Sequence, residues 1–213
     1  MSCRIYFIRH GQSLGNLNRA FLGHTNLDLS EKGYLQAEKT ADFLSKCYVD
    51  KIYTSDLIRA YNTAEALAKK IDFMPRRRMS MREIYAGEWE NKKFDSLAVE
   101  YKDTYGVWLN DIGFARPDCG ESVVEVQSRF LRAVSMVARI SEGKTIAVFT
   151  HATPIRTFFA HIRGMGQGEI KNIPWPSNAS VSLAVYDKGT FREVYYGRDD
   201  FLGDLGTNMP GGV

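Results

Sequence analysis

The chain has 213 residues, 44% of them apolar, and 28 basic against 25 acidic side chains leave a net charge of +3. That length can enclose one sizeable core, and the composition is that of a globular domain. The charge is too balanced to argue for nucleic acid on its own, and no apolar run approaches the ~18–20 residues of a membrane span. Cys3, Cys47 and Cys119 lack the spacing of a zinc site or disulfide framework, so core packing is expected for them. The first apolar segment follows Met1 too closely for a signal peptide, and a cytoplasmic protein is expected.

Ile5 to Ile8 is an apolar run whose β-branched and aromatic content predicts a short buried strand. The chain then changes character at once, to Arg9, His10, Gly11, Gln12 and Ser13. In an α/β sheet the loop leaving a strand's carboxyl end is the usual ligand site. A guanidinium beside the imidazole disfavours protonation of His10, and Gly11 lets the backbone approach a ligand. The pattern suggests a nucleophilic nitrogen facing an anionic centre, although so short a motif also occurs as a solvated turn. The polar loop from Gly11 to Asp28 is long enough to suggest function. It holds Asn16, able to donate to a phosphoryl oxygen or to brace the loop, together with Gly23 and His24. His24 has the type of a ligand-rim residue, but an exposed loop position without a role is the expectation for it.

Ser30 predicts the cap of a helix running to about Cys47, with Glu31 where the helix dipole favours an anion. Lys51 to Thr54 reads as a second strand, and Ser55 as the cap of the next helix. Arg59 falls in the first turn of that helix, where the dipole disfavours a cation, so something other than helix stability selects it. Arg76, Arg77 and Arg78 predict a solvated edge strand that resists aggregation. Glu83 ends a strand-like stretch. Residues 84–120, weakly helical from Phe94 to Tyr105, read as an excursion covering the cleft.

Ser122 and Glu125 form a capping box opening a helix with Val126, Phe130, Val134 and Val137 on one face. Thr145 to Thr150 predicts a strand ending in His151, with Thr153 as N-cap and Pro154 as first residue of a helix to about Arg163. Two strands therefore each deliver a histidine at their carboxyl ends; side by side, they would face one cleft. Ser180 to Asp187 and Phe191 to Tyr196 predict a hairpin about Lys188-Gly189, and the glycine-rich tail from Gly203 is expected to be mobile.

Taken together, these segments resemble the histidine phosphatase superfamily, the family of cofactor-dependent phosphoglycerate mutases and related phosphatases. The resemblance lies in Arg9-His10-Gly11-Gln12-Ser13 with Asn16, in Leu27 to Gly33 with Gln36-Ala37, and in Ser55 to Ala60 with Thr63-Ala64. It continues through Arg82-Glu83-Ile84 with Gly87 to Glu90, Gly120-Glu121-Ser122 and Thr150-His151-Ala152, in the family's order. It implies one domain over residues 1–213, an α/β fold: a three-layer α/β/α sandwich with a mostly parallel sheet, phosphoglycerate mutase-like. It also implies that His10 is the nucleophile and becomes phosphohistidine, and that Glu83 is the proton donor and acceptor. Arg9, Arg59 and a protonated His151 would surround the phosphoryl oxygens, with Asn16, Gly23 and Ala152 in the same phosphate site. No metal and no cofactor are expected.

Where the mutases of this family hold phosphoglycerate with an arginine and a tyrosine, this chain has Ile84 and Ala86, and it lacks their long insertion. The resemblance therefore points to a phosphomonoester hydrolase acting on a small phosphorylated metabolite. A phosphoglycerate mutase and a non-catalytic phosphate-binding or regulatory module are the alternatives. The expected partner is the small-molecule substrate, not nucleic acid or a membrane; a homo-oligomer stays open.

Overall fold

In the computed structural model, which describes residues 1–207, the first strand, β1 (Cys3–Arg9), lies inside a six-stranded sheet and sends alternate side chains to its two sides. There follow α1 (Leu14–Leu17), α2 (Glu31–Ser45), β2 (Lys51–Thr54), α3 (Ile58–Ile71), β3 (Arg76–Arg77), α4 (Phe94–Glu100) and α5 (Lys102–Asn110). The chain closes with α6 (Val123–Arg139), β4 (Thr145–Thr150), α7 (Ala152–Ile162), β5 (Val181–Asp187) and β6 (Thr190–Arg198). The strand order is β3-β2-β4-β1-β5-β6. The first four strands in that order are mutually parallel; β5 runs antiparallel to β1, and β6 to β5.

On one face, Cys3, Ile5 and Phe7 meet Phe130, Val134 and Val137 of α6 and Phe158 and Phe159 of α7. On the other, Tyr6 and Ile8 meet Ala37, Ala41 and Leu44 of α2 and Ala64 and Leu67 of α3. Full burial of each large apolar side chain contributes roughly 1.5–3 kcal/mol, so the period-2 alternation of β1 fixes its register against both layers. The result is the expected three-layer arrangement with a mostly parallel sheet. Among the described residues no helix is long and apolar enough to cross a membrane.

Residues 84–120 build a third apolar cluster, with Trp89, Leu97, Tyr105, Trp108 and Ile112 packed on Phe21 and on Val123 and Val126 of α6. This segment is more helical than its weak periodicity suggests, because its large aromatic residues bury against one another and not along one continuous stripe. The Arg76–Arg77 strand is exposed and pairs only with β2, at the sheet edge. The hairpin between β5 and β6 turns at Lys188 (φ 46°) and Gly189 (φ 89°), the left-handed pair that a tight two-residue turn requires. Cys119 departs from the expectation of core packing, since it is exposed.

Three boundaries differ from the sequence reading. The N-cap of α3 is Leu57, not Ser55, and the N-cap of α7 is His151, not Thr153. Pro154 occupies the third helical position, where a missing N–H leaves no helical bond unmade. Glu83 follows a single 3-10 turn (Met79–Met81) and not a strand. At the tail, Gln36 Nε2 donates to Leu205 O at 2.8 Å and Asn178 N to Thr207 Oγ1 at 3.2 Å, which ties residues 205–207 to the body. The remainder of the tail, 208–213, lies outside the described residues.

Candidate active site

Strands β1, β2 and β4 end on one edge of the sheet, with β4 between the other two. The residues that follow them are therefore brought together: His10 after β1, Ser55 after β2 and His151 after β4. The imidazoles of His10 and His151 stand edge to face with centroids 5.1 Å apart. His10 Nδ1 lies 2.7 Å from Gly11 O; a carbonyl only accepts, so Nδ1 holds the ring proton and Nε2 keeps a free lone pair. Burial, then the charges of Arg59 and Arg9, hold the pKa of His10 well below its ordinary value. The ring is a neutral imidazole in a fixed tautomer, with an unprotonated nitrogen.

His151 is fully buried, and burial followed by the Arg59 charge depresses its pKa well below the ordinary value as well. In the ligand-free protein the neutral ring is thus favoured, since a third cation in one dry site without an anion is costly. His151 Nε2 is 2.9 Å from Ser55 Oγ, and Ser55 Oγ also accepts from Leu57 N at 3.3 Å. A hydroxyl with two lone pairs and one proton can serve Nε2 in either direction while it accepts from Leu57. His151 Nδ1 is buried with no partner among the described residues.

Both arginines are buried, and desolvation lowers each pKa to about 10, so both remain charged near neutrality. Arg9 Nη1 donates to Pro176 O at 2.6 Å. Arg59 Nη1 and Nη2 donate to Thr25 O and Gly23 O, each at 2.8 Å, and its Nε finds no partner among the described residues. The unfavourable placement of Arg59 in the first turn of α3 is thus explained by two loop carbonyls and by its position beside both histidines.

Glu83 is 8% exposed, and burial raises its carboxyl pKa. Its Oε1 accepts from Ile84 N at 2.9 Å and its Oε2 from Thr153 N at 3.3 Å, an unpaired first-turn donor of α7. Its backbone is gripped from outside: the carbonyl accepts from His24 Nε2 at 3.1 Å and from Arg129 Nη2 at 3.2 Å.

A cavity of about 60 Å³ opens here, and Arg9, His10, Asn16, Glu83, Ala152 and Thr153 are in its wall. Gly23, Arg59 and His151 are not; Gly23 serves through its carbonyl, on Arg59. Asn16 is turned inward as a brace, its Oδ1 accepting from Ser13 N at 3.1 Å and from Asn178 Nδ2 at 3.1 Å. The space that Gly11 leaves is filled by protein and not by ligand, since a Cβ there would lie 2.5 Å from Gly33 O. His24, expected to have no role, holds the Glu83 carbonyl, and Ser55, Thr153, Asn178 and Arg129 take part without having been anticipated as site residues. Ser55 and Thr153 were assigned to helix caps, and nothing local marks Asn178 and Arg129, whose partners are far away in sequence.

Among the described residues no three His, Cys, Asp or Glu side chains are placed to hold a metal ion. The arrangement combines a neutral imidazole, fixed cations and a carboxyl whose pKa burial raises, which suits transfer of a dianionic group.

Comparison with known proteins agrees with this geometry. The adenosylcobalamin/alpha-ribazole phosphatase of Salmonella typhimurium is 26% identical over 162 residues, 76% of this chain and 80% of its own. The 2,3-bisphosphoglycerate-dependent phosphoglycerate mutase 2 of Gloeobacter violaceus is 26% identical over 204 residues, 93% of each chain. The solved structure of Bacillus stearothermophilus YhfR superimposes with a TM-score of 0.90 at 27% identity, over 94% of this chain and 99% of its own. The family model of the histidine phosphatase superfamily (branch 1) matches residues 5–199, and this chain belongs to that superfamily.

Proposed function

We propose that the protein is a phosphomonoester hydrolase working through a phosphohistidine at His10 Nε2. The observation that carries this reading is the bond from His10 Nδ1 to Gly11 O, which leaves Nε2 unprotonated between two buried guanidiniums. The Nε2 lone pair forms an N–P bond as the ester P–O bond breaks, and the departing oxygen takes the proton of Glu83. Water then attacks phosphorus, the Glu83 carboxylate takes a proton from it, and the N–P electron pair returns to Nε2. Phosphoryl transfer has a loose transition state, so fixed positive charge and alignment supply most of the catalysis. Arg9 and Arg59 provide that charge. Arg59 and His151, beside His10 but outside the cavity wall, complete the electrostatic surroundings of the phosphoryl group. An arriving dianion also raises the pKa of His151, so its proton-binding strengthens as charge accumulates.

A phosphoglycerate mutase is the second reading, favoured by the mutase relative that aligns over 93% of each chain. The cavity weighs against it. Arg9 is the one Lys or Arg in its wall, and Ile84 offers nothing to the carboxylate of phosphoglycerate. Incubation with 3-phosphoglycerate and a trace of 2,3-bisphosphoglycerate separates the two. Release of inorganic phosphate without 2-phosphoglycerate, alongside hydrolysis of p-nitrophenyl phosphate, supports the hydrolase; isomerisation faster than phosphate release assigns a mutase. A binding module releases no phosphate from any ester.

A further inference from the structure

Between the 3-10 turn at Gln167–Asn172 and β5 runs Ile173-Pro174-Trp175-Pro176, a stretch in which two residues have no N–H to give to a backbone ladder. Side chains hold it by its carbonyls instead. Arg156 of α7 donates from Nε to Ile173 O at 2.7 Å and from Nη2 to Lys171 O at 2.9 Å. The Tyr196 hydroxyl donates to Pro174 O at 2.7 Å. The last carbonyl of the stretch, Pro176 O, is the one that accepts from Arg9 Nη1 at 2.6 Å. Trp175 is held as well: the Arg156 guanidinium lies over its ring, 4.3 Å from the centroid, and the ring of Trp108 is 5.8 Å away. Trp175 and Arg9 are both in the cavity wall.

Arg156 is 5% exposed, and its partners are two carbonyls and a ring, not a carboxylate. Burial lowers its pKa to about 10, so it stays charged near neutrality. Helix packing alone does not select a cation there, since an apolar side chain would fill the space without the cost of desolvating a charge. What only a guanidinium supplies is a planar fork that bonds two carbonyls while lying on an aromatic face. The two prolines fix φ at 174 and 176, so a shift at Ile173 passes to the Pro176 carbonyl with little slack. With one nitrogen held on that carbonyl, the planar guanidinium of Arg9 is constrained in where its other nitrogens lie. We infer that Arg156 is a positioning residue: through Ile173-Pro174-Trp175-Pro176 it sets the placement of Arg9 against the phosphoryl group, without itself touching substrate. This rests on the phosphomonoesterase reading above. Helix α7 thus reaches the site twice, directly where Thr153 N bonds Glu83, and one turn later through Arg156 and this segment.

The test substitutes Arg156→Lys, which keeps the charge and cannot bond both carbonyls from a plane lying on the indole. Its kcat/KM for p-nitrophenyl phosphate is expected to fall roughly 10–100-fold, the cost of a misplaced catalytic group. Butyl phosphate is expected to lose the same factor, because Arg9 serves the phosphoryl group common to both. Calorimetry with inorganic phosphate, below the melting transition of both proteins, is expected to show affinity reduced about threefold or more. In an Arg9→Gln background Arg156→Lys changes kcat/KM by less than about threefold, since the group it positions is gone. A merely structural role gives unchanged phosphate affinity, or the full loss repeated in Arg9→Gln, and either result overturns the inference. A loss confined to butyl phosphate also overturns it, by placing the effect at Thr153 and Glu83. Should Arg156→Lys not fold, Trp175→Leu removes the ring beneath the guanidinium at a half-buried position, and undiminished phosphate affinity there overturns the inference. If the wild type cleaves no ester, the hydrolase reading fails, and phosphate affinity alone decides the role of Arg156.

Discussion

Arg129 is the most demanding place to test how Glu83 is held. From α6 its guanidinium donates five hydrogen bonds: to Ser80 O at 3.0 Å, Arg82 O at 3.0 Å, Glu83 O at 3.2 Å, and Glu121 Oε1 and Oε2 at 2.9 and 2.7 Å. The pair is 21% and 18% exposed, neither surface nor fully dry. Arg129→Met keeps the aliphatic stem and strands three carbonyls and a carboxylate. Hydrogen bonds to a charged group are worth roughly 1.5–3 kcal/mol each, and unpairing a buried ion pair costs roughly 3–5 kcal/mol. Water can reach the half-exposed Ser80 and Arg82 carbonyls, and His24 still holds that of Glu83, so a net loss of roughly 2–4 kcal/mol is expected. For a chain of this size that lowers Tm by roughly 5–15 °C. Urea denaturation gives the stability, and kcat separates a structural from a positioning role. If Arg129 positions Glu83, kcat for an alkyl phosphate falls about tenfold while that for p-nitrophenyl phosphate, whose leaving group needs little acid, falls less. A stability loss below about 0.5 kcal/mol, or equal losses on both esters, would refute this reasoning.

Glu83→Gln is expected to slow alkyl esters by roughly 10²–10⁴-fold and nitrophenyl esters much less in single-turnover measurements. It should also remove the alkaline limb of kcat/KM, since a carboxyl raised by burial must be protonated to act and loses activity as pH rises through its pKa. His10 and His151 are depressed from 6.5, so the stability tied to their neutral forms is present above that pH and is lost as pH falls below it. Wild-type Tm should therefore drop more steeply between about pH 7 and 5 than that of His151→Gln, the Glu83 contribution being common to both; equal slopes would show that His151 is not held neutral. Gly23→Ala puts a Cβ 2.5 Å from Ile84 O and 2.6 Å from Ala86 N. It should cost roughly 1–3 kcal/mol and depress kcat by shifting the carbonyl that holds Arg59, as thermal melts and steady-state kinetics will report.

The strands and the helices that cover them were legible because burial on two faces imposes patterns on sequence: the apolar runs of β1 and β4, and the stripe of α6. The two histidines were legible for the same reason, since a polar residue at the end of a buried strand breaks a pattern. Helix starts were less so. Ser55 reads as a cap from its residue type, yet its hydroxyl is engaged by His151, ninety-six residues away in sequence, and the helix begins beyond it. Thr153 likewise serves Glu83 through its backbone N–H, which any residue but proline would supply, so its type has no bearing on the contact. The completeness of burial of His151, which depresses its pKa, was not legible, because composition shows only neighbours in sequence. Trp108 illustrates the same limit: that it is buried follows from its size, but that its N–H lacks an acceptor while that of Trp89 has Asp118 is a property of the assembled cluster.

The central claim is that phosphorus passes through His10 Nε2. Rapid mixing with a phosphomonoester, acid-free denaturation and peptide mass spectrometry measure it directly. The account predicts a phosphoryl adduct on His10, stable to alkali and labile to acid, that forms and decays at rates matching turnover, builds up in Glu83→Gln with p-nitrophenyl phosphate, and is absent in His10→Ala together with phosphate release. Turnover retained in His10→Ala, or an adduct on any other residue with His10 unmodified, would contradict it.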